Sequence, residues 1–183
     1  MRSEPWVCGV VLLMLFGGTF AADQQECRRA PRPAHANASV VPLPPNVTLR
    51  ADLAKVLGRI HNRSPTFRAQ CERIAADHRL QVAIHLDTAI PSWCRAFTTV
   101  TRHGRNIRAD VHLPPGRNLT ELVAHEFEHI LEQIEGLNLR KLAREKDSGV
   151  REVEGRAFET DRAQVIGRLV AAEANTLGLP AAD

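Results

Sequence analysis

His125-Glu126-Phe127-Glu128-His129 sets two imidazoles four residues apart. On an α-helix a turn takes about 3.6 residues, so both rings leave the same face one above the other. The carboxylate directly after the first imidazole is too close in sequence to share that face fully. It can instead reach a water held by whatever the two rings bind. One turn of helix thus offers two metal ligands and a general base.

The flanking residues predict that helix independently. Leu119, Leu122, Val123, Phe127, Ile130, Leu131 and Ile134 recur at helical spacing, and Gly136 supplies a stop. Asn118, with Glu121 three residues on, reads as a capping-box start. The spacing predicts a helix over 119–135, with His125 and His129 beside the apolar stripe. Glu128 and Glu132 fall on the more polar side and read as solvated.

A catalytic metal site of this type keeps three protein ligands and leaves one position for water. No histidine follows His129, so the third ligand must be a downstream carboxylate. Read as a helix, 149–177 clusters Phe158, Val165, Ile166, Leu169 and Val170 on one side. At about 100° per residue, Glu159 lies within roughly 50° of that stripe, while Glu154 and Asp161 lie nearer 90–110° away. A carboxylate on the core side needs something positive to meet it. Glu159 is therefore the expected third ligand, with Glu154 and then Asp161 as alternatives. Arg162 or Arg156 could instead pair with Glu159, and Asp161 or Glu154 could accept a hydrogen bond from a ligand imidazole.

The HExxH pattern followed by such a glutamate resembles the gluzincin branch of the zincin metallopeptidases. The longer metzincin pattern is excluded, because its Gly and His positions are Glu132 and Glu135. The stretch 125–142, Ala157-Phe158-Glu159-Thr160-Asp161-Arg162-Ala163, Ser64-Pro65-Thr66-Phe67-Arg68-Ala69-Gln70-Cys71 and Pro91-Ser92-Trp93-Cys94-Arg95 are also similar to secreted, largely uncharacterised bacterial HExxH proteins. The resemblance implies one zinc per chain on His125, His129 and Glu159, with Glu126 as the base, hydrolysing peptide or amide bonds. Related enzymes use a tyrosine or histidine to stabilise the oxyanion, and this chain has no tyrosine. His112 is the expected substitute, with His103 or Arg162 behind it. A non-catalytic secreted zinc-binding module and a metal-free interaction protein are the alternative readings.

The remaining sequence bounds the setting. Arg2, the apolar run 7–16 and Thr19-Phe20-Ala21 read as a signal peptide over 1–21, pointing to a secreted or periplasmic protein without stable membrane insertion after cleavage. The apolar stretch is short for a membrane span. Residues 22–47 carry five prolines among small and polar residues and read as a leader or linker. Signal removal leaves Cys27, Cys71 and Cys94, of which Cys71 and Cys94 are the expected disulfide, with Cys27 as an alternative partner.

The domain proper spans 48–183. It is expected to be α+β and zincin-like: helices over 48–60 and 64–77, a short three-stranded, mostly antiparallel sheet (80–86, 97–102, 107–113), the motif helix and a C-terminal ligand helix. His103-Gly104-Arg105 reads as a hairpin turn. A net charge of +3, 4% aromatic residues and no Gly-rich phosphate loop argue against nucleic-acid binding. A peptide or protein substrate is the expected partner. Four Asn-x-Ser/Thr triplets begin at Asn37, Asn46, Asn62 and Asn118.

Overall fold

The computed structural model describes residues 11–14, 43–116, 118–155 and 157–176. Two helices open the domain, α1 (Ala51–Arg63) and α2 (Pro65–Ala76). Ser64 caps α2 by accepting a bond from the Phe67 amide at 2.9 Å, and Pro65 takes the first helical position. There its missing N–H costs nothing and its fixed φ suits the helix.

The main sheet holds β1 (Val11–Met14), β2 (Val47–Thr48), β3 (Leu80–Leu86), β4 (Phe97–His103) and β5 (Asn106–Leu113), in the order β1-β4-β5-β3-β2. β4 and β5 form the expected hairpin. His103 pairs with Asn106, so Gly104-Arg105 is a two-residue turn with Gly104 at φ +59°. That positive angle suits glycine and matches strand twist. The sheet is mixed rather than mostly antiparallel. β3 lies parallel to β5, β2 parallel to β3 and β1 parallel to β4, leaving β4–β5 as the antiparallel pair. A hairpin forces its own strands antiparallel, but β3 reaches β5 by the long 87–96 connection and β4, which permits the other direction.

β1 falls within the segment read as a signal. The rest of that segment and most of the leader, with Cys8, Cys27 and Asn37, lie outside the described residues. The end of the expected leader belongs to the domain. Leu43 and Val47 pack on the core, and the Asn46 amide donates to the carbonyls of Ile74 at 2.8 Å and Leu80 at 3.1 Å. Among the described residues no helix is long and apolar enough to cross a membrane.

Strand alternation divides the sheet's two faces. Ile107, Ala109, Val111 and Leu113 of β5 are buried with Val82, Ile84 and Val100 against the helices. Gln81, His85, Arg108, Asp110 and His112 face the other way and are exposed or half-buried. The helical layer centres on α3 (Leu119–Ile134), whose Phe127 stacks on Phe67 of α2 with ring centroids 5.4 Å apart, a pair contributing about 0.5–1.5 kcal/mol beyond its burial.

The start of α3 departs from expectation. Asn118 sits in the left-handed region (φ 68°) and makes no side-chain cap. From that conformation its amide does not meet the first turn, and Glu121 pairs with Arg95 at 3.4 Å instead of reaching back. The C-terminus ends as expected at Gly136 (φ +77°). The Leu137 amide donates to the Glu132 carbonyl and the Gly136 amide to that of Gln133, each at 3.1 Å, the two bonds of a Schellman stop.

After the short α4 (Leu139–Leu142), the chain forms a second hairpin, β6 (Val150–Val153) with β7 (Ala157–Thr160), and then α5 (Asp161–Thr176). The single helix read over 149–177 is therefore a hairpin followed by a helix. Glu154 and Gly155 both adopt positive φ, which turns the chain back on itself. Thr160 caps α5 by accepting from the Ala163 amide at 3.0 Å.

α5 packs on α3 through Gly167. A methyl group there would lie 3.0 Å from the Glu121 carbonyl oxygen and 3.2 Å from His125 Cβ. Gly167→Val should lower the unfolding free energy by about 1–3 kcal/mol, as overpacking does; urea titration measures it, and an unchanged midpoint would show that the helices can part. α5 is also tied to α2: Ser64 Oγ donates to the Glu173 carboxylate, as do Thr66 Oγ1 at 2.7 Å and Thr66 N at 3.2 Å. Burial pushes the Glu173 carboxyl up, but these donors outweigh it and leave the pKa below the usual range. A depressed folded-state pKa stabilises the fold above the ordinary carboxylate value and loses that contribution as pH falls through the folded one. The stability difference between the protein and Glu173→Gln should therefore shrink below about pH 4.3, as followed by urea unfolding at stepped pH.

Candidate metal centre

His125 and His129 leave α3 one turn apart, with their Nε2 atoms 3.1 Å from each other and the rings edge to face. Glu159, at the end of β7, brings Oε1 to 3.4 Å from His125 Nε2 and 3.9 Å from His129 Nε2. All three residues are essentially sealed from solvent, at 1%, 0% and 1% exposure. A tetrahedral ion with bonds of about 2.0–2.1 Å holds its ligand atoms about 3.3–3.4 Å apart. The triangle's edges, 3.1, 3.4 and 3.9 Å, bracket that spacing, and the three side chains form a group that could hold a metal ion.

The electrostatics point the same way. Burial works against a charged His129, yet the Glu132 hydrogen bond and the Glu132, Glu126 and Glu159 charges overcome it and raise its pKa to about 9. Burial would likewise raise Glu132, but its bonds from His129 and Thr160 bring it below the usual carboxylate range. The pocket is built to surround positive charge. A cation on the three ligands would answer the surrounding carboxylates.

Glu126, fully buried, stands next to this triangle but not in it. Its Oε2 accepts from Thr98 Oγ1 of β4 at 2.7 Å, while Oε1 has no hydrogen-bond partner. Burial raises its pKa, against the opposing pull of His125 and His129. Three ligand side chains, with a carboxylate beside them whose Oε1 has no partner, are the donor set and the base that a metal-bound water would need.

The alternatives to Glu159 are placed elsewhere. Glu154 sits in the β6–β7 turn, and Asp161 is exposed and paired with Arg151 at 2.9 Å. The Arg162 guanidinium holds Glu128 and Glu135, and Arg156, the other arginine expected to pair with Glu159, lies outside the described residues. Glu159 reaches the site from a strand rather than from the helix on which its orientation was reasoned.

His112 is not part of the centre. It points from the outer face of β5, where it stacks on Phe97 at 4.4 Å and His85 at 5.2 Å and meets Asp87 Oδ2 at 3.2 Å. Thr98, which holds Glu126, is on the inner face of the neighbouring strand, one residue out of phase with the Phe97–His112 pair. Strand alternation thus keeps His112 away from the metal centre. His103 is exposed at the β4–β5 turn.

Two glutamates expected in solvent are buried. Glu128 accepts from Gln70 Nε2 at 2.7 Å and from Arg162 Nε at 2.6 Å. Glu132 accepts from His129 Nδ1 at 2.9 Å. A signal for Glu132 existed in its position three residues after a ligand histidine, which puts the two side chains side by side on a helix. No signal in α3 alone reveals the cover that α2 and α5 provide.

No disulfide joins Cys71 to Cys94. Cys71 points into the main core from α2, and Cys94 belongs to the smaller cluster around Ala157, so the backbone carries them to different sites. No protein-family model, curated protein or solved structure matches the chain. Burial, with a lesser push from Glu72, raises the Cys71 thiol to about 12, where the reactive thiolate is scarce at neutral pH. Iodoacetamide should therefore leave Cys71 unlabelled in the native protein at pH 8 and label it in urea, as read by peptide mass; native labelling, or a Cys71–Cys94 peptide, would contradict this burial.

Proposed function

We propose that the chain is a secreted zinc-dependent hydrolase of peptide or amide bonds, with His125, His129 and Glu159 as ligands and Glu126 as general base. The observation that carries this reading is the unpartnered Oε1 of a buried Glu126 beside a three-ligand centre. Two imidazoles and one carboxylate form a donor set suited to zinc. When bound, zinc would bring the pKa of a water toward neutrality and polarise the scissile carbonyl.

The chain's own residues supply the rest. Thr98 holds Oε2 of Glu126, so Oε1 accepts the proton from the attacking water and then delivers it to the departing amine. Glu132 holds Nδ1 of His129, which directs the Nε2 lone pair into the centre.

A second reading, a zinc-binding module without turnover, is favoured by one observation. The residues expected to stabilise an oxyanion are engaged or placed elsewhere: His112 on the outer face, His103 at an exposed turn and Arg162 on Glu128 and Glu135. The two readings separate experimentally. Elemental analysis of purified protein should give one zinc per chain, and Glu159→Ala should lose it. Against a broad peptide library, Glu126→Gln should retain zinc while cutting turnover by about 10²–10⁴-fold. Stoichiometric zinc with no cleavage by the unaltered protein would select the second reading, and absence of zinc would remove both.

A further inference from the structure

Thr160 is buried and has a part in three hydrogen bonds. Its amide donates to Glu159 Oε1 at 3.0 Å, its Oγ1 donates to Glu132 Oε1 at 2.6 Å, and Oγ1 accepts from the Ala163 amide at 3.0 Å. Glu132 in turn accepts from Nδ1 of His129 through its other oxygen, at 2.9 Å. The result is a closed circuit. It runs from His129 to Glu132 along α3, crosses to Thr160 on β7, and returns through the Thr160 amide to Glu159, which faces His129 across the centre.

We infer that Thr160 is a positioning residue for the metal site, setting the Glu159 carboxylate against the α3 imidazoles through its bond to Glu132. The inference rests on the metal-binding reading above and deepens it. The ligands come from two elements with no sequence continuity, so their spacing depends on whatever fastens β7 to α3. The Glu132–Thr160 bond does so within one side chain of each ligand. It lies in a buried setting where both partners lack water as a substitute, so breaking it leaves a stranded acceptor. The same hydroxyl caps α5, so the helix start and the ligand geometry are set by one atom. Partners of this kind typically change metal affinity by about 10–100-fold.

The test is zinc affinity of the purified full chain, measured by competition with a chromophoric chelator and with zinc alone as the added metal. Thr160→Val removes both hydroxyl bonds and should weaken zinc binding by about 10–100-fold, while Thr160→Ser should restore it. Glu132→Gln leaves the α5 cap intact and should also weaken binding, and the double variant should lose less than the two single losses combined, because both act on one circuit. A hydroxyl that only caps α5 would lower the melting temperature of the metal-free protein and leave the zinc affinity of the folded molecule unchanged; that result overturns the inference. If Thr160→Val does not fold, Glu132→Gln decides: wild-type affinity there overturns it as well. An unaltered protein that binds no zinc would instead sink the metal-site reading itself.

Discussion

Charge hidden from water must be answered locally, and this constraint organises the structure. α3 buries His125, Glu126, Glu128, His129, Glu132 and Gln133 in a helix whose other buried residues are all apolar. An isolated ion in such a place costs several kcal/mol, even after relaxation. Glu128 is answered by Arg162 and Gln70, Glu132 by Thr160 and His129, and Glu126 by Thr98 at one oxygen. Apart from His129, which lies on α3 itself, each partner comes from a different element. The helix therefore acts as the axis on which α2, β4, β7 and α5 are assembled. Among the described residues, His125, His129 and Glu159 form a buried group that could hold a metal ion.

Gly167 shows how packing serves the same end. A residue without a side chain lets α5 approach until its backbone is close to His125 Cβ. The approach brings the start of α5, and with it Thr160 and Glu159, over the ligand face of α3. Close packing at one point of the helix pair thus determines where a carboxylate arrives at another. Interiors are dense enough that such a displacement is not absorbed along the way.

The sequence revealed those parts whose signals are local. The period of α3, its glycine stop, the Ser64-Pro65 start of α2 and the Gly104 turn all express backbone preferences within a few residues. His125, His129 and Glu126 follow from helical geometry alone. Glu159 was found by asking which downstream acid should face the core, although the helix used to answer was a strand. The positive φ at Glu154 and Gly155 and the Thr160 cap are what break 149–177 into a hairpin and a helix. What sequence periodicity did not reveal was long-range: the parallel pairing of β3 with β5, the burial of Glu128 and Glu132, and the outward face of His112. The last of these needs only the phase of the strand, since Val111 and Leu113 already claim the core side. Cys71 and Cys94 both flank regular structure, which suggests a bridge, but the packing of α2 and of the 87–96 connection puts them in different clusters.

The Asn46 amide, which gathers carbonyls from the end of α2 and the start of β3, also bears on how the chain could be decorated. Asn46-Val47-Thr48 has the form of an acceptor for N-linked sugar, but its nitrogen is already committed to the main chain. A sugar on that nitrogen would replace one of its two hydrogens and so remove part of the link between α2 and β3.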